Sequence, residues 1–134
     1  MTTDVGALVV RLVLAAIFCT QGYLKTFGPP DRQHGRQASV RLIRSRRLPQ
    51  AERLAALLGL SELIFGLMVG VGFMTRLAAL PLGMILILAI LGFKREAGFL
   101  GGWDWPFAVL GLVVTTVLLG GGALSLDSLI GWSL

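Results

Sequence analysis

The chain has 134 residues, of which 55% are apolar and only 14% charged. Its mean hydropathy is +0.82, whereas soluble domains carry about 25% charged residues. That balance excludes a soluble enzyme, a disordered tail and a disulfide scaffold, and it marks a single-domain membrane protein.

The formal net charge is +5, and seven of the twelve Lys and Arg residues lie between Arg32 and Arg53. A basic stretch beside membrane spans reads as retention on the cytoplasmic side and contact with anionic lipid headgroups. Nucleic acid is not an expected partner, because no aromatic residues are interleaved with these arginines. The single cysteine, Cys19, forbids an intrachain disulfide or a C-x-x-C pair. The single histidine, His34, forbids bis-histidine haem ligation within one chain. Neither has the neighbours a metal site needs, so no metal and no covalently bound cofactor are expected.

A membrane-spanning helix needs about 20 apolar residues. The first candidate, residues 5–27, contains Arg11 and closes on Gln21-Gly-Tyr-Leu-Lys25. It reads as a retained span rather than a signal peptide: no basic residue precedes Arg11, and no small-residue cleavage pattern follows. Phe18 is also too large to precede a lipoprotein cysteine at Cys19. Tyr23 suits an interfacial anchor, and Cys19 a small packing residue.

The segment after Gly28-Pro29-Pro30 holds a possible short helix over residues 36–47. Val40, Ile43 and Arg47 share one face, and the other arginines spread elsewhere. That pattern predicts a small basic amphipathic helix lying on the inner leaflet. Arg36, Arg41, Arg44, Arg46 and Arg47 would touch lipid headgroups there. The bland alternative is a solvated arginine loop. Leu48-Pro49 breaks the helix before the next span.

The second span covers residues 54–74, interrupted by Ser61 and Glu62. The third, residues 77–93, has Pro81 in its first turns and extends past Arg76 by snorkelling. The fourth covers residues 105–121, with Asp104 where an N-cap belongs and Pro106 in the first turn. Trp103 and Trp105 suit the interfacial belt at its start, and Trp132 the opposite interface. Only Thr75 and Arg76 separate the second and third spans, so those helices are antiparallel neighbours. The expected architecture is all-α: a transmembrane up-down four-helix bundle with a short basic helix in its first loop. The basic-residue count places loops one and three in the cytoplasm and both termini outside.

An ionisable group near the bilayer centre costs at least a few kcal/mol unless it is paired. Arg11, Ala15, Phe18, Gly22 and Lys25 follow one helical face, and Glu62 shares a stripe with Gly59, Gly66 and Gly70. Helical rise puts Glu62 about 12 Å inside its span, level with Cys19, with Lys25 about 9 Å below and Arg11 about 12 Å above. The favoured pair is Glu62 with Lys25. Arg11 and Arg76 compete for Asp127. A structural pair that fixes register and a pair that handles a ligand or proton both remain open from sequence. For Asp104 helix capping is the simpler reading, and for Asp127 the capping of a short terminal helix.

The chain resembles the DoxX family of small four-span bacterial membrane proteins. The resemblance runs from about Val5 to Ile130. It rests on Arg11-Leu, Gly22-Tyr-Leu-Lys25-Thr-Phe-Gly28, Ser61-Glu62-Leu-Ile-Phe-Gly66, Gly72-Phe-Met-Thr75-Arg76-Leu-Ala and Gly122-Ala-Leu-Ser125-Leu-Asp127. Loop one departs in being more basic, and Asp104 stands where family members often carry Glu. The resemblance implies membrane redox chemistry. One branch is similar to the small subunit of thiosulfate:quinone oxidoreductase, and another associates with partners in thiol and oxidative-stress handling. It maps the family's recurrent charges onto Arg11, Lys25, Glu62, Arg76 and Asp127. Vitamin K epoxide reductase has a comparable bundle, but its cysteine chemistry needs more than Cys19.

Three functions follow as expectations. The chain is a non-catalytic subunit that anchors a protein partner in a redox-linked bacterial inner-membrane complex, or helps to form its quinone site. Alternatively, the bundle itself binds a quinone or lipid near Glu62 and Lys25. A small oligomeric transporter with a ring of Glu62 side chains is the third.

Overall fold

The structure is a computed structural model, described here over residues 1–27, 36–94 and 98–131. The expectations placed on Arg32, His34, Arg95 and Trp132, and on the side chains of Arg36 and Lys94, lie outside the described residues. The helices are α1 (Thr2–Phe27), α2 (Arg36–Ser45), α3 (Ala51–Val71), α4 (Thr75–Ala89), α5 (Asp104–Leu119) and α6 (Leu126–Leu129). Among the described residues there is no strand. Among the described residues, four helical stretches are long and apolar enough to cross a membrane: Thr2–Phe27, Ala51–Val71, Thr75–Gly92 and Phe99–Leu119.

The bundle closes in the order α1, α3, α4, α5 and back to α1. Its core takes side chains from every long helix: Leu14 and Phe18 of α1, Val69 of α3, Ala79 and Leu82 of α4, and Val109 and Val113 of α5. The outward faces carry Leu57, Leu67, Met84, Leu88 and Leu118, all exposed. An apolar surface of that extent suits acyl chains and not water.

Glycines set the closest contact, between α1 and α3. A Cβ on Gly22 would lie 2.6 Å from the backbone of Gly59 and Leu63, and one on Gly66 would lie 3.0 Å from the Phe18 Cβ. A Cβ on Gly70 would meet Ala15 at 2.8 Å. Residue numbers rise on α3 as they fall on α1, so the pair is antiparallel. Small residues let the backbones approach where lipid supplies no hydrophobic drive. Gly22, not Cys19, stands level with Glu62. The offset from the expected register is about one turn, because the two helices do not begin level: Gly59 meets Lys25 and Thr26, so the first turns of α3, from Ala51, overhang the end of α1.

The early start of α3 also decides the position of α2. The first turns of α3 reach beyond the end of α1, and Val40 and Ile43 of α2 pack there against Ala51 and Ala55. The amphipathic helix is present, but its apolar face is covered by protein instead of being offered to the leaflet. Arg41, Arg44, Arg46 and Arg47 remain exposed.

The α3–α4 connection is a Schellman-type end followed by a sharp turn. Gly72, at φ 78°, donates to the Met68 and Val69 carbonyls, and Phe73 N donates to Met68 at 2.9 Å. Because α4 starts at Thr75, two residues before the expected span, Pro81 lies well inside the helix. The proline therefore removes the bond that position 81 would give to Leu77, a loss that membrane helices tolerate. Asp104 is already helical, so it is not the N-cap. Its carboxylate nevertheless accepts from Gly101 N at 3.2 Å and Trp105 N at 2.8 Å. Beside it, Trp103 packs edge-on to Phe99 and Phe107, with ring centres 4.5 and 5.7 Å away.

Two glycine substitutions separate close packing from helix propensity. Gly22→Ala drives a Cβ into the α3 backbone and lowers stability in mild detergent by about 1–3 kcal/mol. Gly111→Ala meets nothing within 4 Å and leaves the thermal midpoint unchanged or raised. Thermal unfolding of the two purified variants against wild type measures the difference.

Candidate functional site

The ionisable residues that the sequence places in or beside the spans fall into two clusters, one toward each end of the bundle.

Arg11 forms the first. It is 2% exposed, surrounded by α1, α3 and the chain that follows α5. Its Nε donates to the Val69 carbonyl at 3.1 Å and its Nη2 to Gly70 at 3.0 Å. Its Nη1 donates to the carbonyls of Leu124, at 3.0 Å, and Gly121. Val69 and Gly70 belong to the last turn of α3, the negative end of the helix dipole, where carbonyls run short of partners. One guanidinium thus neutralises a helix end and ties the post-α5 loop to it. Gly72 is required here twice over: its φ is positive, and a Cβ would fall 2.5 Å from that of Ser125 and 3.0 Å from Arg11 Cζ.

Asp127, 4% exposed, lies beside this cluster. It takes neither of the arginines expected for it. Its carboxylate accepts from Met74 N at 2.6 Å, Thr75 N at 2.9 Å and the Thr75 hydroxyl at 2.6 Å. Its own amide donates to the Gly72 carbonyl at 2.8 Å. Asp127 therefore caps α4 from a distant part of the chain, while Ser125 caps the short α6 by accepting from Ser128 N. The physical reason is supply: a helix start buried at a tight turn offers orphan amides, and a carboxylate there favours the positive end of the dipole. Arg76 turns instead to the Leu118 carbonyl, at 3.1 Å, the end of α5.

The second cluster is the ion pair of Lys25 and Glu62. The Lys25 ammonium lies 2.8 and 2.9 Å from the two Glu62 oxygens. Glu62 is 2% exposed and Lys25 15%. Gly22 and Gly59 bring α1 and α3 close enough for this contact, and a Cβ on Gly59 would strike the Lys25 Cβ at 2.7 Å. Next to Lys25, the Thr26 hydroxyl is buried and has no hydrogen-bond partner among the described residues. Cys19 packs on α3, its thiol 3.9 Å from the Leu63 carbonyl.

The structure thus joins Lys25 to Glu62, sets Arg11 and Asp127 on backbone groups, and leaves Arg76 at the edge of the first cluster. Sequence reasoning quoted Gly72 and Thr75 as motif residues without giving either a role, and it gave none to Asp4. Asp4 accepts from Ala123 N at 2.9 Å and so fastens the start of α1 to the loop after α5. The signals available were the motif that contains Gly72 and Thr75 and, for Asp4, the clustering of polar residues at span ends. Among the described residues, no three His, Cys, Asp or Glu side chains gather as metal ligands would.

Breaking the ion pair from one side strands a buried charge. Glu62→Gln and Lys25→Met each cost about 3–5 kcal/mol, whereas the double change Lys25→Met/Glu62→Leu costs far less than their sum. Asp127→Ala orphans the amides at the start of α4 and costs at least about 2 kcal/mol, with Asp127→Asn milder. Thermal unfolding in one detergent, arranged as a double-mutant cycle, measures each value.

The chain was also compared with known proteins. The DoxX family model matches residues 6–95, spanning Arg11, Lys25, Glu62 and Arg76 and stopping short of Asp127. A Bacillus subtilis (strain 168) protein named "Putative oxidoreductase CatD" is 27% identical over 124 residues, covering 92% of this chain and 86% of that one. No solved structure matches. With the family match extending over α1 to α4, the chain is a multi-pass membrane protein that belongs to the DoxX family.

Proposed function

We propose that this protein is a membrane subunit of a redox-linked complex in the bacterial cytoplasmic membrane, where it anchors and helps to assemble a catalytic partner. The observation that carries this reading is where the intramembrane charges go. Arg11 satisfies carbonyls of α3 and the post-α5 loop, Asp127 caps α4, and Glu62 holds Lys25. Each is engaged in holding helices together, which is the use expected of a scaffold. Family membership and a relative named as an oxidoreductase supply the redox link.

A second reading keeps the bundle as the binding site for a quinone. The buried Thr26 hydroxyl, unpartnered among the described residues and beside the partly open Lys25 ammonium, favours it. Two adjacent donors of this kind suit a carbonyl oxygen of a lipophilic ring.

The concentration of arginines between Arg32 and Arg53 supports an orientation with the α1–α3 connection in the cytoplasm and both termini outside.

Mass spectrometry of the complex, gently solubilised from native membranes, tests the proposal. A stoichiometric partner carrying a redox cofactor or a catalytic thiol is the expected result; a solitary chain refutes it. In the same preparation Glu62→Gln separates the two readings. Loss of a copurifying quinone from a correctly inserted, normally stable protein favours the quinone site, and a lowered thermal midpoint with unchanged lipid content favours the scaffold. A C-terminal reporter active only outside the cytoplasm checks the orientation.

A further inference from the structure

The corner where α2 meets α3 contains an open groove of about 510 Å³, lined by Arg44, Leu48, Gln50, Ala51, Glu52 and Arg53. Three features meet in it. The first is charge. From Arg41 to Arg53 the chain carries Arg41, Arg44, Arg46, Arg47 and Arg53, all exposed, against the single acid Glu52. Glu52 does little to cancel them: it lies 3.8 Å from Arg44, and both side chains are open to solvent. The second is rigidity. Because Val40 and Ile43 are buried on Ala51 and Ala55, α2 is fixed to α3 and its outer face is held in place. The third is depth. Ala51 opens a helix long and apolar enough to cross the membrane, so the groove sits where that helix leaves the hydrocarbon. Leu48 in the groove is exposed, as are Leu54 and Leu57 in the next turns of α3, giving an apolar ledge on the membrane side of the arginines. The first amides of α3, which no side chain among the described residues caps, lie at the same corner.

The geometry points to a binding site for an anionic phospholipid at the α2–α3 corner, with the headgroup phosphate between Arg44 and Arg53 and an acyl chain along Leu48, Leu54 and Leu57. A guanidinium pair presents forked donors that match phosphate oxygens. A free phosphate would use the arginines but not the leucine ledge, and an acidic protein segment would not need the ledge at acyl depth. The lipid uses both. The site is separate from the Lys25–Glu62 pair and does not depend on the redox role proposed above.

Native mass spectrometry of the full-length protein in detergent tests it, with phosphatidylglycerol and phosphatidylcholine of identical acyl chains as the two probes. Phosphatidylglycerol is expected to bind about tenfold more tightly. Arg44→Gln and Arg53→Gln each weaken it about fivefold, the factor that corresponds to roughly 1 kcal/mol per basic residue at a membrane surface. Arg44→Lys/Arg53→Lys retains most of the binding, and Glu52→Gln strengthens it. These positions are exposed, and an unchanged helical circular dichroism spectrum confirms that the variants fold. Equal binding of the two lipids, or no response to either glutamine variant, overturns the site. Displacement of the lipid by millimolar inorganic phosphate overturns it in favour of a small-anion site. Unchanged lipid binding with loss of a copurifying protein in Arg44→Gln/Arg53→Gln overturns it in favour of a protein contact.

Discussion

A bilayer contains no water to solvate a stray charge or an unpaired amide, and the architecture follows from that single shortage. Arg11 shows the consequence most directly. A guanidinium buried to 2% exposure in a span must find acceptors inside the protein. It finds them on the backbone, at Val69, Gly70, Gly121 and Leu124. Those acceptors belong to the end of α3 and to the loop beyond α5, so satisfying one side chain joins α1, α3 and the C-terminal segment.

Around that joint, the remaining polar groups at the same end of the bundle interlock. Asp127 caps α4, Thr75 adds its hydroxyl, Asp4 holds Ala123 and Ser125 closes α6. The first three tie chain segments that are remote in sequence, and the last closes a local turn. The opposite end is held differently: Lys25 and Glu62 bond across a glycine-lined contact, and α2 packs on the overhanging start of α3. The bundle is thus pinned by backbone-directed hydrogen bonds at one end and by an ion pair near the other. Leu14, Phe18, Leu82 and Val113 fill the space between.

Much of this was legible in the sequence. Four apolar runs and two tight connections required an antiparallel bundle, because each span must return through the membrane. The steps of three and four from Arg11 to Lys25, and from Gly59 to Gly70, put the charges and glycines on facing stripes. The Lys25–Glu62 contact follows from those stripes. The partners of Arg11 and Asp127 did not follow from them. Opposite charges can be counted in a sequence, whereas backbone carbonyls and amides are present at every residue and become distinctive only where a helix ends. The position of α2 was hidden for a related reason. An amphipathic pattern reports that one face wants burial but does not say whether lipid or protein covers it.

The sequence by itself determined that this chain lives in a membrane, how often it crosses, and which few side chains need company there, since all three depend on composition and periodicity along one strand of chain. Tertiary structure alone decided which company they keep. That choice depended on where α3 begins, how closely glycines let it approach α1, and which helix ends were left with unsatisfied backbone groups. These are properties of the assembled helices, and no single segment carries them.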